Sequence, residues 1–202
     1  MPPRRRLSPA DRRTQLLGVA ARLFAAQPYD LVRMEDVAEQ AGVSRALLYQ
    51  HFPNKRDLFA ALYREVSEQL LAKTRLDPAD TLVEQLVEGL DAHIEYFAEN
   101  RNTVLAANRV LAGDLLVQTI IADELDALRE GLLGVLPLTD ARAREAVSGV
   151  LKSWLVFVQV LCLDWLTHET CTRTELRDVC VGAVLGALRP LLDEDPAPDW
   201  PR

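Results

Sequence analysis

Apolar residues recur along this chain at intervals of three and four, the spacing that stacks side chains on one face of an α-helix, and no stretch shows the strict alternation of a half-buried strand. The first stripe, over 9–26, is carried by Leu16, Ala20, Leu23 and Phe24. Ser8 stands before it as a cap with proline at the next position, where a missing N–H costs nothing, and Pro28 ends it. A short helix is predicted over 34–41 with Met34, Val37, Ala38 and Ala41 inward, then Gly42-Val43, then a second short helix over 44–50. Pro53-Asn54 breaks the pattern again. A fourth helix carries Leu58, Phe59, Leu62, Tyr63 and Val66 to about residue 73, and Asp77-Pro78 marks a boundary. Beyond it the predicted helices lengthen: 79–99, a short one near 102–112, then 114–135, 140–168 and 173–192, with Pro137, Thr139, Thr172 and Thr174 as punctuation and candidate caps. The pattern predicts an all-α protein of about nine helices.

Within the longer helices the apolar rows have identifiable tasks. Over 79–99, Leu86, Leu90, His93, Ile94 and Phe97 follow one stripe flanked by Tyr96 and Asn100, while Asp91, Glu95 and Glu99 form a separate acidic row that suits solvent. His93 on that stripe is either a core histidine or a ligand contact. Over 114–135 the row is Ile121, Leu125, Leu128, Leu132 and Val135, with Gln118 at its amino-terminal end, pointing into a cavity or to water. The helix over 140–168 is apolar nearly all round between Val150 and Trp165, which requires cover on two sides. Val150, Trp154, Phe157, Leu161 and Trp165 form a row for the chain's own core or a pocket wall, leaving Gly149, Ser153, Val156 and Val160 on another face. In the last helix Val179, Gly182, Ala183, Gly186 and Ala187 put small residues together. An interior glycine costs a helix about 1 kcal/mol relative to alanine, so two of them one turn apart ask for the close approach of another helix. An interface between two copies, or packing within one copy, meets that demand.

Composition narrows the function classes. With 49% hydrophobic residues over 202 positions, the chain can bury one sizeable core or a small module fused to a larger one. The start, MPPRRRLSP, has basic residues without an apolar segment or cleavage pattern behind them, which argues against a secretory signal and for the cytoplasm. The most apolar run, WLVFVQVLCLDWL, is interrupted by Gln159 and Asp164 and falls short of the roughly 20 residues that span a bilayer, so no membrane partner is expected. Cys162, Cys171 and Cys180 lack the close pairing of metal or disulfide frameworks, and read as reduced packed thiols, with a redox sensor as the alternative. No HExxH, GxSxG or glycine-rich phosphate loop is present, so neither catalysis, metal nor cofactor is expected. Charge is divided: residues 1–60 hold ten Arg/Lys against six Asp/Glu, and 61–202 hold thirteen against twenty-four. A basic module ahead of an acidic body is the footprint of a nucleic-acid reader attached to something that must not adhere to phosphate.

The stretch AEQAGVSRALLYQHFPNK supplies the reader. Ala38, Gly42 and Leu48 stand at the offsets of a helix-turn-helix: a small residue for close approach, glycine for the positive φ of the turn, leucine to anchor the second helix, with Val43 beneath the turn. The second helix then offers Arg45, Ala46, Leu47, Tyr49 and Gln50 to a major groove, amino-terminal end foremost, with Ser44 as both cap and phosphate ligand. His51 and Lys55 follow where the chain crosses the phosphate backbone.

The block DVAEQAGVSRALLYQHFPNKRDLFAAL, with ARLFAAQPYD before it, resembles the tetracycline-repressor-like (TetR) family of bacterial transcription regulators over about the first quarter of the chain. LLYQHFPNK reproduces the family's Leu-Tyr-x-His/Tyr-Phe-x-x-Lys signature behind the AGVS turn. The resemblance implies an all-α homodimer: three helices bind DNA, a fourth links, and a variable carboxy-terminal body binds an inducer and dimerises through its last two long helices. It assigns base-facing roles to Arg45, Ala46, Leu47, Tyr49 and Gln50, and phosphate contacts to Ser44, Tyr49, His51 and Lys55. Three positions depart from the family pattern. Pro28 replaces a common glycine, Arg33 stands where threonine often caps the second helix and offers a guanidinium for a phosphate, and Leu47 replaces a frequent threonine.

The domain scheme expected is a basic arm over 1–8 with Arg4, Arg5 and Arg6, a DNA-binding domain over 9–54, a linking helix over 55–76, a ligand-binding and dimerisation domain over 77–195, and a tail over 196–202. The expected ligand pocket is His93, Tyr96, Phe97, Asn100, Gln118, Trp154, Phe157 and Leu161. The expected dimer interface is Gly149, Ser153, Val156, Val160, Val179, Gly182, Ala183 and Gly186. The expected partners are a double-stranded DNA operator, a second copy of the chain and a small, largely apolar effector. A DNA-binding regulator with a purely dimerising body, and more remotely a helical-bundle enzyme, remain as alternatives.

Overall fold

The computed structural model describes residues 7–73, 81–136, 138 and 140–192. The arm with Arg4, Arg5 and Arg6, the Asp77-Pro78 turn, Pro137, Thr139 and the tail over 196–202 lie outside the described residues. Within them the chain forms α1 (Pro9–Ala26), a single 3-10 turn (Tyr29–Leu31), α2 (Met34–Gln40), α3 (Arg45–His51), α4 (Lys55–Lys73), α5 (Leu82–Glu99), α6 (Arg101–Leu105), a π turn (Ala106–Val110), α7 (Leu115–Val135), α8 (Ala141–His168) and α9 (Arg173–Leu192). There is no strand among the described residues.

Side chains set the helix starts. Ser8 accepts from the Asp11 amide at 3.1 Å while Asp11 accepts from the Ser8 amide, a capping box that pins α1, with Pro9 in its first turn. Ser44 Oγ accepts from the Leu47 amide at 3.2 Å to start α3, and Asp140 accepts from the Ala143 amide at 2.8 Å to start α8. Thr81 with Glu84 and Thr172 with Glu175 repeat the box at α5 and α9. Thr174, expected as a candidate cap, lies inside α9 instead, because Thr172 fills that position with its reciprocal glutamate three residues on.

The chain packs as two compact units that are each discontinuous in sequence: one runs to Ser67 and includes Glu99–Ile120, the other comprises Glu68–Ala98 and the chain from Ile121 on. The divisions fall inside α4, α5 and α7, where the hydrophobic pattern runs unbroken. Sequence punctuation marks helix ends, not the places where a long helix changes neighbours.

In the first unit Leu16, Ala20, Phe24, Val37, Leu48, Phe52, Leu58 and Phe59 are all within 1% of complete burial. Phe24, Tyr29 and Phe59 pack ring to ring with centroids 5.1 to 5.7 Å apart, and Phe59 stacks on Tyr63. Asn102 Nδ2 donates to the Ala25 carbonyl at 2.8 Å, which ties α6 to the end of α1.

In the second unit α8 packs along α9. The buried row of α8 is Val147, Leu151, Trp154, Leu155, Val158, Cys162 and Leu166, and it meets Leu176, Cys180, Val184 and Leu188 of α9. The row expected through Val150, Phe157, Leu161 and Trp165 is therefore rotated from the observed one, and only Trp154 belongs to both. A helix apolar on every side carries no polar marker of its rotation. Here the phase is fixed by Trp154, whose Nε1 donates to the Cys180 carbonyl at 2.8 Å. Burial pushes the Cys162 and Cys180 thiols up to about 12 and about 11, so both remain unreactive thiols. By length and composition α8 is apolar enough to cross a membrane, although one row of it is buried within the unit.

Candidate nucleic-acid interface and ligand cavity

The turn between α2 and α3 is built as the pattern demands. Gly42 has φ +64°, a left-handed value that side chains with a Cβ adopt at a cost, and the Val43 amide returns to the Ala38 carbonyl at 3.0 Å. Ala38 is 2% exposed and Leu48 fully buried, so α2 and α3 approach closely around them. Gln15 Nε2 donates to the Ala41 carbonyl at 3.1 Å, bracing the turn against α1.

With the inner face occupied, α3 presents Ser44, Arg45, Ala46, Tyr49 and Gln50 to solvent, while Leu47 and His51 are half-buried. Arg45 reaches the Glu35 carboxylate of α2 at 3.6 Å. Arg33 forks onto Asp36 with bonds of 3.0 and 3.2 Å and stays exposed, so α2 begins with an ion pair where a hydroxyl cap is lacking. Lys55 differs from the rest of the set. Its ammonium donates to the Tyr29 carbonyl at 3.0 Å and lies 4.3 Å from the centre of the Tyr29 ring, so it braces the 3-10 turn as well as standing beside α3. Tyr29 is absent from the residues expected at this site. Its position directly after Pro28, where the chain leaves the helix that carries Phe24, was the available signal.

The second unit contains a cavity of about 480 Å3 lined by α5, α7 and α8 with Leu71 of α4. Its wall is mostly leucine and valine, including Leu86, Leu90, Leu125, Leu128, Leu132 and Val158. The polar groups on it are Gln85, His93 and Glu130, beside the indole of Trp154. His93 is 8% exposed, and its Nε2 is buried without a hydrogen-bond partner. Burial pushes its imidazole down to about 4, so the ring is neutral near pH 7. Gly89, Gly131 and Gly134 complete the lining, and a Cβ at Gly89 or Gly134 would meet nothing within 4 Å.

Of the eight residues expected in the pocket, His93 and Trp154 line this cavity. Tyr96 and Phe97 are buried on α5, and the Phe97 ring, 4.1 Å from that of His93, fills the space beyond it. Asn100 stands at the N-cap position of α6. Gln118 belongs to the first unit, where its amide donates to the Ala107 and Leu111 carbonyls at 3.1 Å and closes the π turn. Phe157 and Leu161 lie off the wall because α8 has the rotation described above. Phe157 lines a separate groove with Gly149, Ser153, Ala183 and Ala187. The glycines of the wall are absent from the expected pocket, although GLLGV inside a helical pattern carried the same signal as the glycines of α9.

All eight residues expected at a dimer interface are exposed in the single chain, with Val156 at 45%, Val160 at 60% and Val179 at 54%. Gly149, Gly182 and Gly186 have no atom of the chain within 4 Å of where a Cβ would stand. The small residues of α9 are therefore not explained by packing inside one copy.

Basic, phenolic and amide side chains exposed on the second helix of a helix-turn-helix, on a domain whose inner faces are fully packed, define a DNA-binding domain of the major-groove type. The sequence profile of the bacterial regulatory proteins, tetR family, matches residues 16–62, the segment that holds this domain. Over these residues the chain carries the amino-terminal domain of the tetR family. It is 28% identical over 138 residues to a nucleoid occlusion factor, SlmA, of Marinomonas sp., covering 68% of this chain and 66% of that protein. It is 37% identical over 70 residues to the transcriptional activator FasR of Mycolicibacterium smegmatis, covering 35% of this chain and 32% of that protein. The matched segments thus span between a third and two thirds of these relatives. A crystal structure of a tetR-family regulator from Streptomyces coelicolor superposes with a TM-score of 0.83 at 24% identity, over 92% of this chain and 83% of that one, and shares its fold.

Proposed function

We propose that this chain is a cytoplasmic, ligand-responsive transcriptional regulator, a repressor that binds a palindromic operator as a homodimer and leaves it when a small, largely apolar effector enters the second unit. The observation that carries the reading is the coexistence of a packed helix-turn-helix with an exposed α3 face and an apolar cavity in the other unit. A leucine wall that faces empty space forfeits packing energy unless something occupies it. Dimerisation is supported by the uncovered valines and small residues of α8 and α9, which leave a self-complementary face beyond the core of one copy. Release requires that the effector bind a form with wrongly spaced recognition helices more tightly than the DNA-bound form, and it shifts the equilibrium only by that difference.

The second reading is a DNA-binding regulator with no small-molecule ligand, whose body is only a dimerisation core and whose exposed α8 and α9 small residues serve that contact. Both readings are tested by selecting bound fragments from the source genome and titrating the full chain against them by fluorescence anisotropy, with and without extracts of the source cells. The proposal expects tight binding to an inverted repeat and loss of it with a heat-stable, extractable component. Binding to an inverted repeat that no extract relieves supports the second reading.

A further inference from the structure

The second unit's cavity carries more information than its presence. Its wall is almost wholly aliphatic, and none of its lining residues is lysine or arginine. The one carboxylate on it, Glu130, is already engaged: Arg129 reaches it at 2.9 Å and Arg144 at 4.0 Å. Arg129 itself is further held by Asp126 at 3.2 Å. An anionic ligand would therefore find no cation on the wall, and a cationic one would compete with two guanidinium groups for Glu130. Either ion would also lose its hydration against leucine, which is costly without a partner.

Against this apolar background His93 stands out. Its Nε2 is buried, has no partner and belongs to a side chain that lines the cavity. Buried polar atoms are nearly always satisfied, so an orphan on a cavity wall points to a group that arrives from outside the chain. A neutral imidazole nitrogen donates or accepts according to tautomer, and a hydroxyl answers either case. The glycines point the same way. Gly89 and Gly134 interrupt α5 and α7, yet nothing of the protein approaches where their side chains would be, so they keep space open and do not admit a neighbouring helix.

We propose that the cavity takes an uncharged, chiefly aliphatic molecule bearing one oxygen function, hydroxyl or carbonyl, which hydrogen-bonds to Nε2 of His93. The inference rests on the reading of this cavity as the effector site. The cavity volume lies within the range of ~300–1,000 Å3 typical of small-molecule sites.

The test uses the full chain and a series of one chain length: octanol, octane, octanoate and octylamine. Binding is followed by calorimetry and by tryptophan fluorescence, since Trp154 is on the wall. Octanol is expected to bind about tenfold more tightly than octane, the size of effect a single buried hydrogen bond gives, with both ions weaker than octane. His93→Leu should bring octanol down to the level of octane and leave octane unchanged, and His93→Gln should restore part of the preference. Gly89→Leu, at a position with free space, should block the whole series while melting as the parent does. Equal binding of octanol and octane, tighter binding of either ion, a preference that survives His93→Leu, or no binding by any member overturns the proposal. Anisotropy on a genomic fragment separates this from the parent reading. His93-dependent octanol binding that leaves DNA bound sinks the effector reading alone, whereas octanoate that binds and releases DNA sinks the ligand class alone.

Discussion

The ammonium of Lys55 donates to the carbonyl of Tyr29 at 3.0 Å and sits 4.3 Å from the centre of that tyrosine's ring. One lysine thus ties the start of α4 to the 3-10 turn that follows α1, next to the Phe24–Phe59 aromatic cluster. The family motif assigns Lys55 a phosphate to hold. The structure adds a second task that does not require DNA. Lys55→Ala should therefore lower stability by about 1–2 kcal/mol, the sum expected of a cation–π contact and a hydrogen bond, as well as weakening operator binding. Urea denaturation distinguishes the two tasks. An unchanged midpoint with reduced DNA affinity would assign Lys55 to phosphate alone.

Arg45 and Tyr49 present the opposite case, because both are exposed on α3 and neither supports the core. Their replacement by alanine should leave thermal melting unchanged. Arg45→Ala should cost about 1–3 kcal/mol of operator affinity and relax the preference at one base pair if the guanidinium reads a guanine, whereas Tyr49→Ala should weaken all sequences alike. Glu35 holds Arg45 at 3.6 Å in the free chain. Glu35→Gln should then strengthen DNA binding several-fold at low salt and lose that advantage as salt screens the pair. Anisotropy titrations across a salt series read all three variants, and an Arg45→Ala protein that binds like the parent removes α3 from the interface.

His93 makes stability depend on pH with a definite sign. Its folded value, about 4, lies below the ordinary 6.5 because burial disfavours the charged ring. The unfolded chain therefore takes up a proton first as pH falls. The stabilising contribution is complete above about pH 7 and is lost progressively between 6.5 and 4. At pH 5 the loss from this group alone is roughly 2 kcal/mol. His93→Gln has no such titration, so the difference in unfolding free energy between parent and variant should shrink by that amount from pH 7.5 to 5. A constant difference across this range would mean that water reaches the imidazole in the folded chain.

The helix-turn-helix was legible because each of its demands leaves a distinct residue: positive φ asks for Gly42, close approach for Ala38, a buried anchor for Leu48. Punctuation placed most helix ends within a residue or two for the same reason, since Ser8, Ser44 and Thr172 cap by local chemistry. The cavity was only half legible. His93 announced itself as a polar residue on an apolar stripe, but the rotation of α8 depends on which neighbour takes the indole proton of Trp154, and that is a tertiary fact. Gln118 was misjudged for a related reason. Its amide satisfies carbonyls freed by the π turn over Ala106–Val110, and a π turn has no signature in the spacing of apolar residues.

The glycines of α9 allow a test of dimerisation that is free of the usual ambiguity. A leucine placed in a tightly packed helix contact destabilises the fold itself, so loss of assembly would say little. Gly186 is different, being exposed, with no atom of its own chain within 4 Å of where a Cβ would stand. Within one copy Gly186→Leu should be tolerated and should even favour the helix by up to about 1 kcal/mol. At a two-fold interface the same residue meets its own copy or the neighbouring small residues, and a leucine there holds the helices apart. Sedimentation of Gly186→Leu should show monomers at concentrations where the parent is dimeric, with operator binding weakened because a monomer holds a single half-site. Val160→Glu, on the adjacent exposed face of α8, should act in the same direction by burying a charge. If both variants sediment as dimers as tight as the parent, the α8–α9 face is not where two copies meet, and the small residues of α9 need another explanation.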